Sequence, residues 1–192
     1  MPSQSGAFVL ALLLSAATGT AAAEESYVID PAHSQPSYEI RHTIFSTQRG
    51  DFTKSTGKIT IDREAKKGSI DVTIDTTSIR SHDPRLDSIL KGEDYFNVAK
   101  YPTMAFKSTA MRFDGDRLAG VDGELTMIGV TRPVTLKVTD FQCGENPFNK
   151  KPMCGAEATT TIKRSEWGMK TGVGRSSGDD VKITIPIEAY RE

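Results

Sequence analysis

The sequence predicts an all-β fold, an eight-stranded antiparallel up-and-down barrel with one short helical segment around 83–97. Three observations carry that expectation. Apolar and polar residues alternate with period 2 along most of the chain after residue 24, the pattern of strands with one buried and one wet face. Turn signals such as DREAKKG, FDGD and MIGVTRP separate many of the alternating segments. Only HDPRLDSILKG departs from the period. A two-sheet sandwich shares this local signature, but closure into a barrel removes the open edges of eight antiparallel strands joined by short links.

Eight segments qualify as strands: 34–42, 50–61, 69–75, 103–111, 116–127, 132–143, 155–164 and 180–190. The first sets Pro36, Tyr38, Ile40 and His42 on one face. SIDVTID opposes Ile70, Val72 and Ile74 to Asp71, Thr73 and Asp75. PVTLKV opposes Val134, Leu136 and Val138 to Thr135 and Lys137, and VKITIPI repeats the pattern with Val181, Ile183, Ile185 and Ile187. Pro36 and Pro186 fall in the first and last strands. Proline removes a ladder donor and is tolerated at edges and bulges, so both prolines would mark a weakly bonded seam where the barrel closes. In the aperiodic stretch Asp83 can cap a helix, Pro84 fits its first position and Gly92 can end it. Leu86, Ile89 and Leu90 then share one face.

The 17-residue apolar run AFVLALLLSAATGTAAA ends at Ala23 and is followed by two glutamates. It reads as a secretory signal peptide over 1–23, cleaved near Ala23, although the segment before it has no Lys or Arg. An uncleaved anchor is the alternative, and the run is at the short limit for a spanning helix. Residues 24–192 then form one domain in the periplasm or outside the cell. Twenty-four basic and 25 acidic residues give a net charge of −1, without the basic face of a nucleic-acid binder.

The two cysteines, Cys143 and Cys154, lack a CxxC spacing and a neighbouring His, which argues against zinc. In an oxidising compartment they would close a 12-residue loop, a constraint of about 3 kcal/mol in the chain-entropy model. His33 and His42 are nine residues apart. An extended strand separates them by roughly 30 Å and turns them to opposite faces, so they share neither a metal nor a substrate atom. His33 reads as a turn cap and His42 as the end of a strand. No paired carboxylates in an apolar setting, no GxSxG elbow and no metal cluster support an enzyme. An eight-stranded barrel is wide enough either to fill with side chains or to hold one slender ligand, and periodicity alone does not separate the two.

Five motifs taken in order resemble the YceI-like family of exported polyisoprenoid-binding proteins: YVIDPAHSQPSYEIRH, EDYFNVAKYPTMAFKST, GELTMIGVTRPVTLKV, KRSEWGM and VKITIPIEA. The match runs in order over essentially all of residues 27–190. The resemblance implies a lipocalin-like barrel that takes a long apolar chain, such as a polyprenyl quinone, a prenyl phenol or a fatty amide, and uses no metal or cofactor. It implies lining and mouth positions at Tyr38, Ile40, His42, Phe52, Phe96, Tyr101, Met104 and Phe106, to which the apolar strand faces add Val72, Ile74, Leu136 and Ile183. Tyr95 would help shape the mouth or a plug, Arg41 and Arg85 are further mouth candidates, and Arg164 and Trp167 belong to the closing turn. A ligand-free barrel with a filled core is the competing function. A membrane redox partner and a homodimer are the partners considered besides the lipid. Two positions depart from the family pattern: Pro36 stands in place of an aliphatic residue, and Ile89 stands where some members carry His.

Overall fold

The computed structural model describes residues 24–192; the expected leader at 1–23 lies outside the described residues. Eleven strands run in chain order: β1 (Glu25–Ile29), β2 (Ser37–His42), β3 (Ser46–Phe52), β4 (Ser55–Asp62), β5 (Lys67–Asp75), β6 (Ile79–Ser81), β7 (Thr103–Asp114), β8 (Arg117–Met127), β9 (Val130–Glu145), β10 (Pro152–Lys163) and β11 (Ser177–Arg191). One helix, α1 (Pro84–Lys91), lies between β6 and β7. The eleven strands make eight staves, because β1 with β2, β3 with β4, and β5 with β6 are broken halves of single staves. All neighbouring pairs are antiparallel, and the pairing of β1 and β2 with β11 closes the ring. The expected eight-stranded up-and-down barrel is therefore present, with three of its staves interrupted.

The breaks lie side by side and lock together. Asp30–Pro36 interrupts the first stave, Thr53 and Lys54 the second, and a 3-10 turn at Thr76–Ser78 the third. The Phe52 N–H donates to the Pro36 carbonyl at 2.8 Å, and the Asp75 N–H donates to the Lys54 carbonyl at 3.0 Å. Asp75 caps the 3-10 turn by accepting from Thr77 N at 2.8 Å. Above this line of breaks, β2, β3 and β6 form a sheet whose far edge is covered by α1 and the segment after it. Each break shifts the inward face by one residue: Tyr27 and Ile29 give way to Tyr38 and Ile40, Phe52 to Ile59 and Ile61, and Ile74 to Ile79.

The seam has the weakness expected of its prolines. β11 pairs with β2 through Val181–Thr184 and with β1 through Ala189–Arg191, leaving 185–188, including Pro186, outside those ladders. A side chain fills the gap. Ser34, fully buried, donates from Oγ to the Glu188 carbonyl at 3.1 Å and accepts from the Glu188 N–H at 3.0 Å. Ser55 Oγ donates to the Ser34 carbonyl. His33 borders the same gap: its Nδ1 lies 2.8 Å from Asp30 Oδ2 and 3.8 Å from Glu188 Oε2. His33 thus caps the turn at 30–33, as expected, and its ring also lies beside Glu188 across the seam.

α1 has the ends its sequence encodes. Asp83 accepts from Arg85 N at 2.9 Å, Pro84 occupies the first turn and Gly92 follows the last residue. The helix ends at Lys91 with Gly92 as its C-cap, as expected, and the remainder of the segment folds into successive turns held by Asn97 N–H to the Gly92 carbonyl at 2.9 Å and Val98 N–H to the Lys91 carbonyl at 3.1 Å. At the other end of the barrel, Cys143 and Cys154 are direct cross-strand partners and form the disulfide, with Cα atoms 4.1 Å apart.

Two outcomes follow. Ser34→Ala leaves the Glu188 N–H without its partner, while the Glu188 carbonyl keeps the Asp30 N–H at 2.8 Å, and lowers the free energy of unfolding by about 1–2 kcal/mol, measured by urea denaturation. Hydrogen bonding to Asp30, then the charges of Glu188 and Asp30, hold the His33 pKa above its ordinary value of 6.5, while Asp30 is held below 3.8. The His33 contribution is therefore complete below its unfolded pKa and is lost as pH rises through its higher folded pKa. Melting curves of His33→Gln fall furthest below wild type near about pH 5 and converge with it near about pH 8.

Candidate functional site: an axial apolar cavity

The inward faces of the staves enclose a cavity of about 390 Å³ along the barrel axis, within the size range of small-molecule sites. At the disulfide end it is lined by Tyr27, Ile61, Leu118, Phe141 and Cys154, all buried or half-buried. At the other end the lining includes Arg41, His42, Ile89 and Ser176, which are exposed. The cavity therefore opens at one end, between the β2–β3 turn, α1 and the loop that follows β10. Its lining contains no Asp, Glu or Lys among the described residues.

The expected lining residues converge on this cavity with one exception. Tyr38, Ile40 and His42 of β2, Phe52 of β3, Val72 and Ile74 of β5, Met104 and Phe106 of β7, Leu136 of β9 and Ile183 of β11 all border it. So does Phe96, whose ring meets Phe52 edge-on with centroids 5.4 Å apart. Tyr101 does not border it. Its ring lies against Gly129, where a Cβ would come within 3.0 Å of it, and its carbonyl accepts from Thr76 Oγ1 at 2.7 Å. The aromatic run after α1 thus divides: Tyr95 and Phe96 turn into the mouth, while Tyr101 anchors the wall. Of the two further mouth candidates, Arg41 borders the cavity and Arg85 does not.

Glycine makes room for two of these rings. At Gly50 a Cβ would stand 2.6 Å from Tyr38 Oη, and at Gly123 it would stand 2.7 Å from Cε2 of Phe106. The bare backbone lets each aromatic lie across a neighbouring strand.

Arg164 is 3% exposed and borders the cavity near its mouth. Its Nε donates to the Gly178 carbonyl, Nη1 to Met169 and Nη2 to Thr171, each at 2.9 Å; Nη2 also donates to Ser177 Oγ at 2.7 Å. The guanidinium lies 5.9 Å from the centre of the Tyr95 ring. One side chain thus fixes the loop after β10 to the start of β11 with a planar fork that lysine lacks. Trp167 follows in the same turn, buried behind the wall, and donates Nε1–H to the Leu125 carbonyl at 3.2 Å. The sequence marks the turn, but the cavity contact of Arg164, and those of Leu86, Leu90, Met111 and Phe141, depend on where loops and bulges fall.

Tyr38 is the polar anomaly of the lining. Burial first, then the negative charges of Asp87 and Asp51, push its pKa up to about 12, so the phenol is neutral at physiological pH. Its hydroxyl is buried with no hydrogen-bond partner, the only such side-chain atom among the described residues. The described residues hold one cluster of metal-ligating groups, Asp30, His33 and Glu188, within 4.8 Å of one another. It sits outside the cavity at the seam, with His33 exposed, and its contacts are those that bridge the interrupted stave.

These features define a class: a closed eight-stranded β-barrel with an apolar axial cavity open at one end. The chain belongs to the YceI-like family, whose domain profile matches residues 27–189. It is 34% identical over 184 residues to Protein YceI of Escherichia coli O157:H7, covering 94% of this chain and 93% of that protein. The crystal structure of BcnA from Burkholderia cenocepacia superposes with a TM-score of 0.69 at 26% identity, covering 83% of this chain and 98% of BcnA. A polyisoprenoid binding domain from Saccharophagus degradans, implicated in plant cell wall breakdown, shares the fold with a TM-score of 0.65 at 13% identity, covering 86% of this chain and 98% of that one.

The orphan hydroxyl gives a direct check. Tyr38→Phe removes an unpaired buried donor and raises the free energy of unfolding by about 1 kcal/mol; a loss of similar size in urea denaturation would show that the hydroxyl is paired in solution.

Proposed function

We propose that this protein holds a long apolar chain of isoprenoid type, such as a polyprenyl quinone, a prenyl phenol or a fatty amide, inside its barrel, as a periplasmic or secreted carrier or store. The observation that carries the reading is the cavity: closed at the disulfide end, open at the other, and apolar along its length without a carboxylate. Withdrawing a hydrocarbon from water contributes about 0.8 kcal/mol per CH₂, or roughly 4 kcal/mol per five-carbon isoprene unit before entropic costs. Affinity on that scale needs no charged contact. The polar groups at the mouth, His42, Arg41 and Gln48, then discriminate among head groups. The name of the Saccharophagus domain, a polyisoprenoid binder on the same fold, supports the same ligand class. The cross-strand disulfide fits an oxidising compartment, and the apolar leader of the sequence fits export.

The reading is one of binding, not catalysis. A pocket enzyme of the acid–base or nucleophilic kind needs a positioned carboxylate, an activated nucleophile or a polarised base. The cavity offers a neutral phenol at Tyr38, a peripheral His42 and an Arg164 with four of its five N–H donors in structural bonds.

The test is mass spectrometry of an organic extract of the mature protein, purified without detergent. The expected result is a prenyl lipid or long-chain amide in stoichiometric amount. Ala158→Phe, which fills the middle of the cavity from β10, reduces it at least about tenfold while the fold is retained, as overpacking costs only about 1–3 kcal/mol. An empty extract, with no rise in melting temperature after incubation with membrane lipids, would overturn the proposal in favour of a barrel with no lipid cargo.

A further inference from the structure

The open end of the barrel carries apolar side chains that the cavity does not account for. Ile44 and Phe45, at the tip of the β2–β3 turn, are 80% and 85% exposed, and Ile89, on α1 at the same end, is 55% exposed. Soluble surfaces carry single exposed apolar residues without consequence. Here three of them share the rim of one opening, and Ile89 also borders the cavity, so the outer apolar surface continues into the interior. The turn is held in place: Arg41 Nη2 donates to the Ile44 carbonyl at 2.6 Å, and Arg41 Nη1 donates to Thr47 Oγ1 at 3.2 Å.

Charge favours one occupant for this surface. The turn segment 41–48 and the loop 164–176 carry Arg41, Lys170 and Arg175 against one carboxylate, Glu166, besides the buried Arg164, although the whole chain has a net charge of −1. The helical side of the rim carries Arg85 and Lys91 against Asp83, Asp87, Glu93 and Asp94, so the basic surface is the side of the turn and the loop, where Ile44 and Phe45 stand. Two copies meeting mouth to mouth would oppose these cations to one another, and three side chains fall far short of the ~800 Å² per partner of a stable protein interface. A bilayer with anionic head groups fits both properties, since shallow apolar insertion and basic residues act together at such surfaces.

The geometry points to the barrel docking by its open end on an anionic lipid bilayer, with Ile44, Phe45 and Ile89 entering the head-group boundary. This inference rests on the proposed carrier function and gives it a route: an apolar chain passes between bilayer and cavity without crossing water.

The experiment is flotation of the mature protein with vesicles of phosphatidylglycerol and phosphatidylethanolamine, compared with vesicles of phosphatidylcholine alone, alongside lipid extraction from each variant. Wild type floats with the anionic vesicles and releases on adding salt. Ile44→Ser/Phe45→Ser, which alters no cavity-lining residue, lowers the bound fraction at least about tenfold yet retains lipid in its extract. Lys170→Glu/Arg175→Glu weakens binding to anionic vesicles several-fold and leaves the neutral ones unchanged. Phe148→Ser, at a residue 94% exposed at the opposite end, behaves as wild type. Docking is overturned if wild type stays with the aqueous fraction while its extract holds lipid, or if Phe148→Ser matters as much as the turn variant. It is also overturned if sedimentation shows a dimer that Ile44→Ser/Phe45→Ser dissolves while no variant binds vesicles. An empty extract from a protein that still floats counts against the carrier function and leaves docking standing.

Discussion

Closure of the first stave on the last is the constraint on which the molecule depends. An open eight-stranded sheet would expose two edges and leave its apolar face in water. Closed, it leaves only the outer edge of β6 without a strand partner, beside α1, and hides that face in a cavity. The closure is made where the chain is least able to make it by ladder bonds alone, because Pro186 lacks an N–H and residues 30–36 leave the strand. Ser34 stands in for the missing strand residue by accepting from and donating to the same backbone unit, Glu188. The Asp30–His33 pair secures the outside of the same gap. The side-chain bonds at the seam keep the wall continuous where the first stave is interrupted.

The breaks shape the open end of the container. An eight-stranded barrel is wide enough either to fill with side chains or to hold one slender ligand. Here the breaks at 30–36, 53–54 and 76–78 are coupled by hydrogen bonds, and β6 pairs with β3 but not with β7. α1 covers the β6 edge, and Tyr95 and Phe96 turn in at the mouth. Arg164 ties the opposite loop in place from within. The open end carries the two long connections, 82–102 and 164–176, beside the short turns at 43–45 and 128–129, and the other end carries the disulfide.

The legible part of this structure was the part fixed by local periodicity and capping. Ile70, Val72 and Ile74, or Val181, Ile183 and Ile185, disclose their inward face by alternation, and Asp83-Pro84 with Gly92 discloses a helix of the right position. Pro36 and Pro186 disclosed the seam, because a missing donor is a local property with a non-local consequence. The break at 53–54 left a trace, a change of inward parity from Phe52 to Ile59 and Ile61 within the expected strand 50–61, but nothing in Thr53-Lys54 shows that the chain at 36 and 78 interrupts at the same height. Tyr101 was misplaced for a similar reason. Phe96 and Tyr101 are both aromatics of one motif, and only the turns at 92–100 decide that one faces the cavity and the other Gly129. The cavity itself is a difference between wall diameter and side-chain volume, and no single segment encodes it.

The central claim is that an apolar chain occupies the full depth of the barrel. Methyl-resolved NMR of the delipidated protein, titrated with a polyprenyl quinone, tests it most directly. The account predicts contacts between the prenyl chain and Ile61 and Leu118 at the closed end, together with Ile40 and Leu90 near the mouth, and none with Val28 on the outer wall. Contacts confined to Ile44 and Ile89 at the rim, or spread over the exterior, would contradict it.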